Sequence, residues 1–131
     1  MSEEHPLFSS VRVVPPNAKL VAISGQVAVD GDGRPTGVGD FAAQFDQTFA
    51  NLASVLATVG ATFSDLIKTT TFLVGNKHVA AYFDARIKPF NTWFSHGEFP
   101  ANTVVVVERL AEPEFLLEVE AWAAIPPLSG M

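Results

Sequence analysis

From residue 40 to residue 59 the apolar positions follow a period that only a helix satisfies: Phe41, Phe45, Phe49, Leu52, Leu56 and Val59 recur every three or four residues and fall on one stripe. Asp40 stands where an N-cap oxygen accepts a backbone N–H, and Gly60 stands where the chain must turn away, so the spacing predicts a helix over Asp40 to Val59. Before it, Leu20 to Val29 is mostly apolar and stops at Asp30-Gly31-Asp32-Gly33 and Arg34-Pro35, which predicts a strand running into a tight reversal. After it, the threonine-rich stretch Ile67 to Val74 predicts a second strand. Helical spacing returns with Val79, Tyr82, Phe83, Ile87, Phe90 and Phe94, but Pro89 interrupts it, so two helical pieces are expected there. Thr103 to Leu110 and Phe115 to Ile125 predict two further strands, and Ala111 to Glu114 is a connection short enough for an antiparallel hairpin.

That order of elements predicts an α+β fold, one mixed sheet with two main helices packed on one face. In the last strand Leu117, Val119, Ala121, Ala123 and Ile125 share one face, while Leu116, Glu118, Glu120 and Trp122 share the other. Val104 to Val107 is apolar on both faces, as in a strand covered by helices on one side and by a second body on the other. A partner subunit is the simplest cover.

Composition sharpens this expectation. Hydrophobic residues make up 48% of the 131 residues and charged ones 17%, so the apolar driving force is strong and few charges cover the surface. Self-association follows, within a single domain over residues 1–131 that has short tails. The formal charge is −6, from 14 acidic and 8 basic residues, and no Lys/Arg cluster forms a basic patch, which argues against nucleic acid as a partner. Cysteine is absent, which removes disulfides, thiolate ligands and a cysteine nucleophile. The acidic opening MSEEHP and the lack of a long apolar run predict neither a signal peptide nor a membrane partner, hence a cytoplasmic protein.

Three blocks then stand in order: Ser24-Gly25-Gln26; Lys68-Thr69-Thr70 with Phe72; and Phe99-Pro100-Ala101-Asn102-Thr103, running through Arg109-Leu110 to Leu117-Glu118-Val119-Glu120-Ala121. Together they resemble the signature of the RidA/YjgF family from about Val21 to Ile125. The resemblance implies a chorismate-mutase-like fold, a homotrimer whose sheets form a central barrel, and small-molecule clefts between neighbouring subunits. It also implies hydrolysis of reactive enamines and imines to keto acids and ammonia, with no cofactor and no metal. By position it assigns Glu118 to the attacking water, and Ser24, Gly25, Asn102 and Val104 to substrate binding.

The chain departs from the active pattern at several points. Asn102 occupies the place of the motif arginine, so the bidentate fork for a substrate carboxylate is missing. Val104 replaces a smaller residue, often cysteine, and Leu7 to Pro16 contains no tyrosine to match the family's Gly-Pro-Tyr block. The Pro89 region is also longer than in typical members. Weak action on amino-acid-derived imines is therefore expected, unless Arg86, Lys88 or Arg109 replaces the missing charge.

Each candidate has a plainer reading. Glu118 is either the water-positioning carboxylate or a strand glutamate paired with Arg109 or a lysine. Ser24 and Gly25 are either ligand-binding groups or a strand-end turn. A triad built from Ser24 with His78 or His96 lacks the flanking glycine of a nucleophile elbow, and His5, His78 and His96 have no metal-ligand spacing. Asp30 to Gly33 has the wrong spacing for a calcium loop, with Phe41 where the bidentate glutamate belongs. The function classes that remain are an enamine/imine deaminase of altered specificity, a non-catalytic ligand-binding or interaction protein, and a hydrolase of some other small molecule.

Overall fold

The computed structural model describes residues 6–127, so His5 and residues 128–131 of the Pro/Gly tail lie outside the described residues. In chain order the elements are β1 (Lys19–Gln26), α1 (Phe41–Ala57), β2 (Leu66–Val74), α2 (Val79–Ala85), α3 (Ile87–Trp93), β3 (Ala101–Val107) and β4 (Leu117–Ile125). Asp40 Oδ1 accepts the Ala43 N–H at 3.1 Å, which starts α1 where the pattern places it. Gly60, at φ 75°, takes the left-handed turn that brings the Ala61 N–H back to the Leu56 carbonyl at 3.0 Å.

The α1 stripe of Phe45, Phe49, Leu52 and Leu56 packs in one core with Ile23, Leu73, Leu117, Val119, Ala121 and Ala123. Full burial of each large apolar side chain contributes about 1.5–3 kcal/mol. Gln44 is the polar exception on that stripe, and it is satisfied. Its amide donates to the Glu114 carbonyl at 2.9 Å and its oxygen accepts the Leu116 N–H at 2.8 Å, pinning the chain where β4 begins.

Pro89 divides the second helical region as its chemistry requires. It falls in the first turn of α3, and Arg86 is at once the C-cap of α2 and the N-cap of α3. A proline there has no N–H to return to the preceding turn, so the ladder breaks at the junction. The first strand is shorter than its apolar run: β1 ends at Gln26, and Val29 instead forms an isolated bridge with Pro35 that closes the reversal.

The sheet order is β1-β4-β2-β3, which corrects the expected hairpin between the last two strands. They are not neighbours. β2 lies between them, antiparallel to β4 and parallel to β3. The α2–α3 crossover delivers β3 beside β2 in parallel, which a hairpin cannot do, and residues 108–116 then pass over the end of β2 to its other edge. Val74 N–H donates to the Leu116 carbonyl at 3.0 Å along that path.

The helices cover one sheet face. On the other face Leu20 and Trp122 are 53% and 45% exposed, with half-buried Glu118 and Phe72 on the inner strands and half-buried Val105 on the β3 edge. Among the described residues, no helix is long and apolar enough to cross a membrane.

Candidate functional site

On the open face, β1 and β4 pair with a register shift between Ile23 and Gln26. Ser24 and Gly25 together oppose Glu120, forming a bulge that re-aims the backbone next to the acidic positions of β4. Glu118 folds over this bulge. A Cβ built on Gly25 would lie 2.6 Å from the Glu118 carboxyl carbon, so the side chain occupies space that only glycine leaves free. Beside it, Ala22, Ile23, Ser24, Glu120, Ala121 and Trp122 line an open depression of about 310 Å³. A larger cavity of about 440 Å³, lined by Phe8, Phe94, His96 and Phe99 among others, contains none of the predicted site residues.

Burial raises the Glu118 carboxyl above the ordinary carboxylate range, and the like charge of Glu120 raises it further. Within the chain, two of the candidate structural partners are engaged elsewhere. Arg109 Nε and Nη2 donate to the carbonyls of Leu110 and Ala111 at 2.9 and 2.8 Å, and Lys68 Nζ donates to Thr103 Oγ1 at 2.8 Å. Glu118 pairs with Phe72 across the sheet, so nothing cationic in that register offsets the carboxylate.

Asn102 and Val104 project from β3 on the helix-covered face, opposite to Ser24 and Glu118; their register partners on β2 are Thr69 and Thr71. Asn102 Nδ2 donates to Thr69 Oγ1 at 2.8 Å, to the Thr69 carbonyl at 3.2 Å and to Thr71 Oγ1 at 3.3 Å. The Thr69 carbonyl only accepts, which fixes the amide orientation. Thr71 Oγ1 also meets the Tyr82 hydroxyl at 3.3 Å, and Thr71 and Tyr82 are fully buried. Burial raises the Tyr82 phenol, opposed by Thr71 and by the Arg86 guanidinium.

Arg86 completes this polar chain. It is 8% exposed, its Nε and Nη1 have no hydrogen-bond partner, and its Cζ lies 4.6 Å from the Phe83 ring centroid and 5.7 Å from that of Tyr82. Burial lowers its pKa from the ordinary value, with Tyr82 acting the other way. Lys88, by contrast, is exposed.

Within one chain the predicted residues thus form two groups. Ser24, Gly25 and Glu118 come together on the open face, and Asn102 and Val104 lie with the polar chain on the other. Reading the sequence alone missed Tyr82 and Thr71 as polar partners, because each occupies a position whose period marks it as core. A tyrosine hydroxyl and a threonine facing the same interior were the available signal. Among the histidines, His78 Nδ1 contacts the Val74 carbonyl at 2.6 Å and His96 is exposed.

Residues 6–125 match the sequence pattern of the family described as Endoribonuclease L-PSP. The chain is 33% identical over 123 residues to the RutC family protein YjgH of Escherichia coli (strain K12), covering 94% of this chain and 86% of that protein. It is 35% identical over 106 residues to a RutC family protein of Haemophilus influenzae, covering 79% and 78% of the two chains. Its fold is similar to the crystal structure of YyfB from Yersinia pestis, a protein of unknown function of the conserved Rid family, with a TM-score of 0.78 and 30% identity over 95% of each chain.

Proposed function

Because this chain belongs to the RidA/YjgF family, we propose that it assembles as a homotrimer with small-molecule clefts between subunits, in which Glu118 activates water to hydrolyse enamine or imine metabolites. The observation that carries this reading is the Glu118 carboxylate seated on the Gly25 backbone, beside Ser24 and without a cationic partner in its register. A carboxylate whose pKa is raised is a stronger base than an ordinary one. It takes a proton from water as the oxygen adds to the C=N carbon and returns it to the nitrogen, giving a carbinolamine; it then takes the hydroxyl proton and passes it to the same nitrogen as the C–N bond breaks, leaving a carbonyl product and ammonia.

Assembly supplies what one chain lacks. The open face carries exposed Leu20 and Trp122, and the two groups of site residues meet only if the helix-side edge of β3 in one copy faces the open face of the next. The ribonuclease description suits this chain poorly, since a net charge of −6 repels a phosphate backbone. A second reading, a ligand-binding protein without chemistry, draws support from Asn102, whose amide protons are already engaged by Thr69 and Thr71.

Two measurements test the proposal. Light scattering at micromolar concentration should give three times the 14.0 kDa chain mass; a monomer overturns the intersubunit cleft. Imines generated in situ by an amino-acid oxidase should be hydrolysed by the wild type and about 10²-fold or more slowly by Glu118→Gln. Ligand retention without turnover in the wild type selects the second reading instead.

A further inference from the structure

A buried guanidinium stays protonated, so it needs an anion or a full set of acceptors. Arg86 has neither on Nε or Nη1. Among the described residues the one ion pair joins Arg34 to Asp32 at the surface, so no described carboxylate neutralises this cation. We propose that Arg86 is the anion anchor of the cleft, binding the carboxylate of a small ligand from the α2–α3 junction at the helix-side edge of β3. The proposal rests on the cleft reading above and names the residue and the ligand group.

Position supports it first. Arg86 adjoins Tyr82, the Tyr82 hydroxyl meets Thr71, and Thr71 meets Asn102. The cation therefore lies at one end of a continuous polar chain whose other end is the strand position where the family resemblance expects an arginine. Elimination supports it second. Of the three cations expected to take over that charge, Arg109 donates to the carbonyls of Leu110 and Ala111 and Lys88 is exposed. The third support is that turning the guanidinium outward breaks no hydrogen bond at Nε or Nη1. It gives up its stacking on the 37% exposed Phe83 and its contact with Tyr82, in exchange for charge-assisted bonds in the planar fork geometry that suits a carboxylate.

Asn102 then has a different part. With Nδ2 committed to the threonines, it presents an acceptor oxygen, which repels a carboxylate and accepts an N–H. A ligand held by Arg86 at its carboxylate offers such an N–H to Asn102 if it is an imine or amine.

Calorimetric titration with pyruvate and with its neutral isostere pyruvamide tests the anchor. Wild type should bind pyruvate roughly tenfold to a hundredfold more tightly than pyruvamide. Arg86→Met should erase that preference, and Arg86→Lys, which keeps the charge but not the fork, should reduce it while leaving pyruvamide unchanged. If Arg86→Met does not fold, the lysine variant carries the test. Equal binding of the two probes by the wild type, or a full pyruvate preference in either variant, overturns the assignment. Glu118→Gln should keep the preference while losing turnover, so failure of the hydrolytic reading and failure of the anchor are separately visible.

Discussion

Replacing Gly25 by alanine tests whether the placement of the Glu118 carboxylate, rather than its presence, carries the chemistry. The added Cβ would lie 2.6 Å from the carboxyl carbon and 2.9 Å from Cγ, where ordinary contacts begin at 3.4 Å. The obstacle is the end of a flexible, half-buried side chain, so Glu118 should rotate away and the backbone should hold. Gly25 is not among the glycines at positive φ, and alanine therefore fits without strain and narrows the unfolded ensemble by about 0.4–1 kcal/mol. Stability should hold or rise, by up to about 4 °C in Tm. Imine hydrolysis should nevertheless fall about 10²-fold or more, to the level of Glu118→Gln, because a displaced base no longer reaches the attacking water. The double variant should be no slower than either single one, since both remove the same interaction. Wild-type turnover in Gly25→Ala would refute the placement argument. Loss of folding would show instead that the bulge, not the carboxylate, needs the glycine.

Thr71→Val keeps the shape of a fully buried residue but removes the partner of the Tyr82 hydroxyl and one acceptor of Asn102; urea unfolding should show a loss of about 1–3 kcal/mol, partly restored by adding Tyr82→Phe. The raised Glu118 pKa means the folded state holds that proton more tightly than the unfolded chain, so this group's contribution falls as pH rises through the window above the ordinary carboxylate value. Glu118→Gln should accordingly raise Tm at neutral pH, and the gain should vanish once the pH drops below that window; a gain independent of pH would contradict the burial argument. Trp122→Glu, at a 45% exposed position on the open face, should yield monomers by light scattering with unchanged far-ultraviolet circular dichroism.

Patterns in the chain revealed what each element buries but not which elements are neighbours. The α1 stripe, its caps and the break at Pro89 follow from local chemistry, and the split of β4 into an apolar face and one bearing Glu118 and Glu120 follows from strand alternation. The position of β2 between β3 and β4 does not, because a period of two assigns a face and is silent about pairing order. The short link after β3 suggested adjacency, and only the parallel crossover through α2 and α3 rules it out. The site divides in the same way. The approach of Gly25 to Glu118 depends on the register shift between β1 and β4, a tertiary property that neither tripeptide contains.

Arg86 marks the limit more sharply, and it bears on how a missing site residue should be read. Between Ala85 and Ile87, three residues before Pro89, an arginine is legible in the sequence as a candidate cation, but its burial is not. Its burial arises because Phe83 and Tyr82, on the preceding turn, present their rings to the guanidinium, and because Tyr82 is drawn inward to Thr71 on the strand that precedes the helix. Strand position 102 and helix position 86 are separate in the chain, yet a few polar contacts connect them across the interior. An asparagine in place of the motif arginine therefore removes a charge from the strand without removing it from the site, provided that the helix junction supplies one. The pyruvate preference of Arg86→Met measures whether it does.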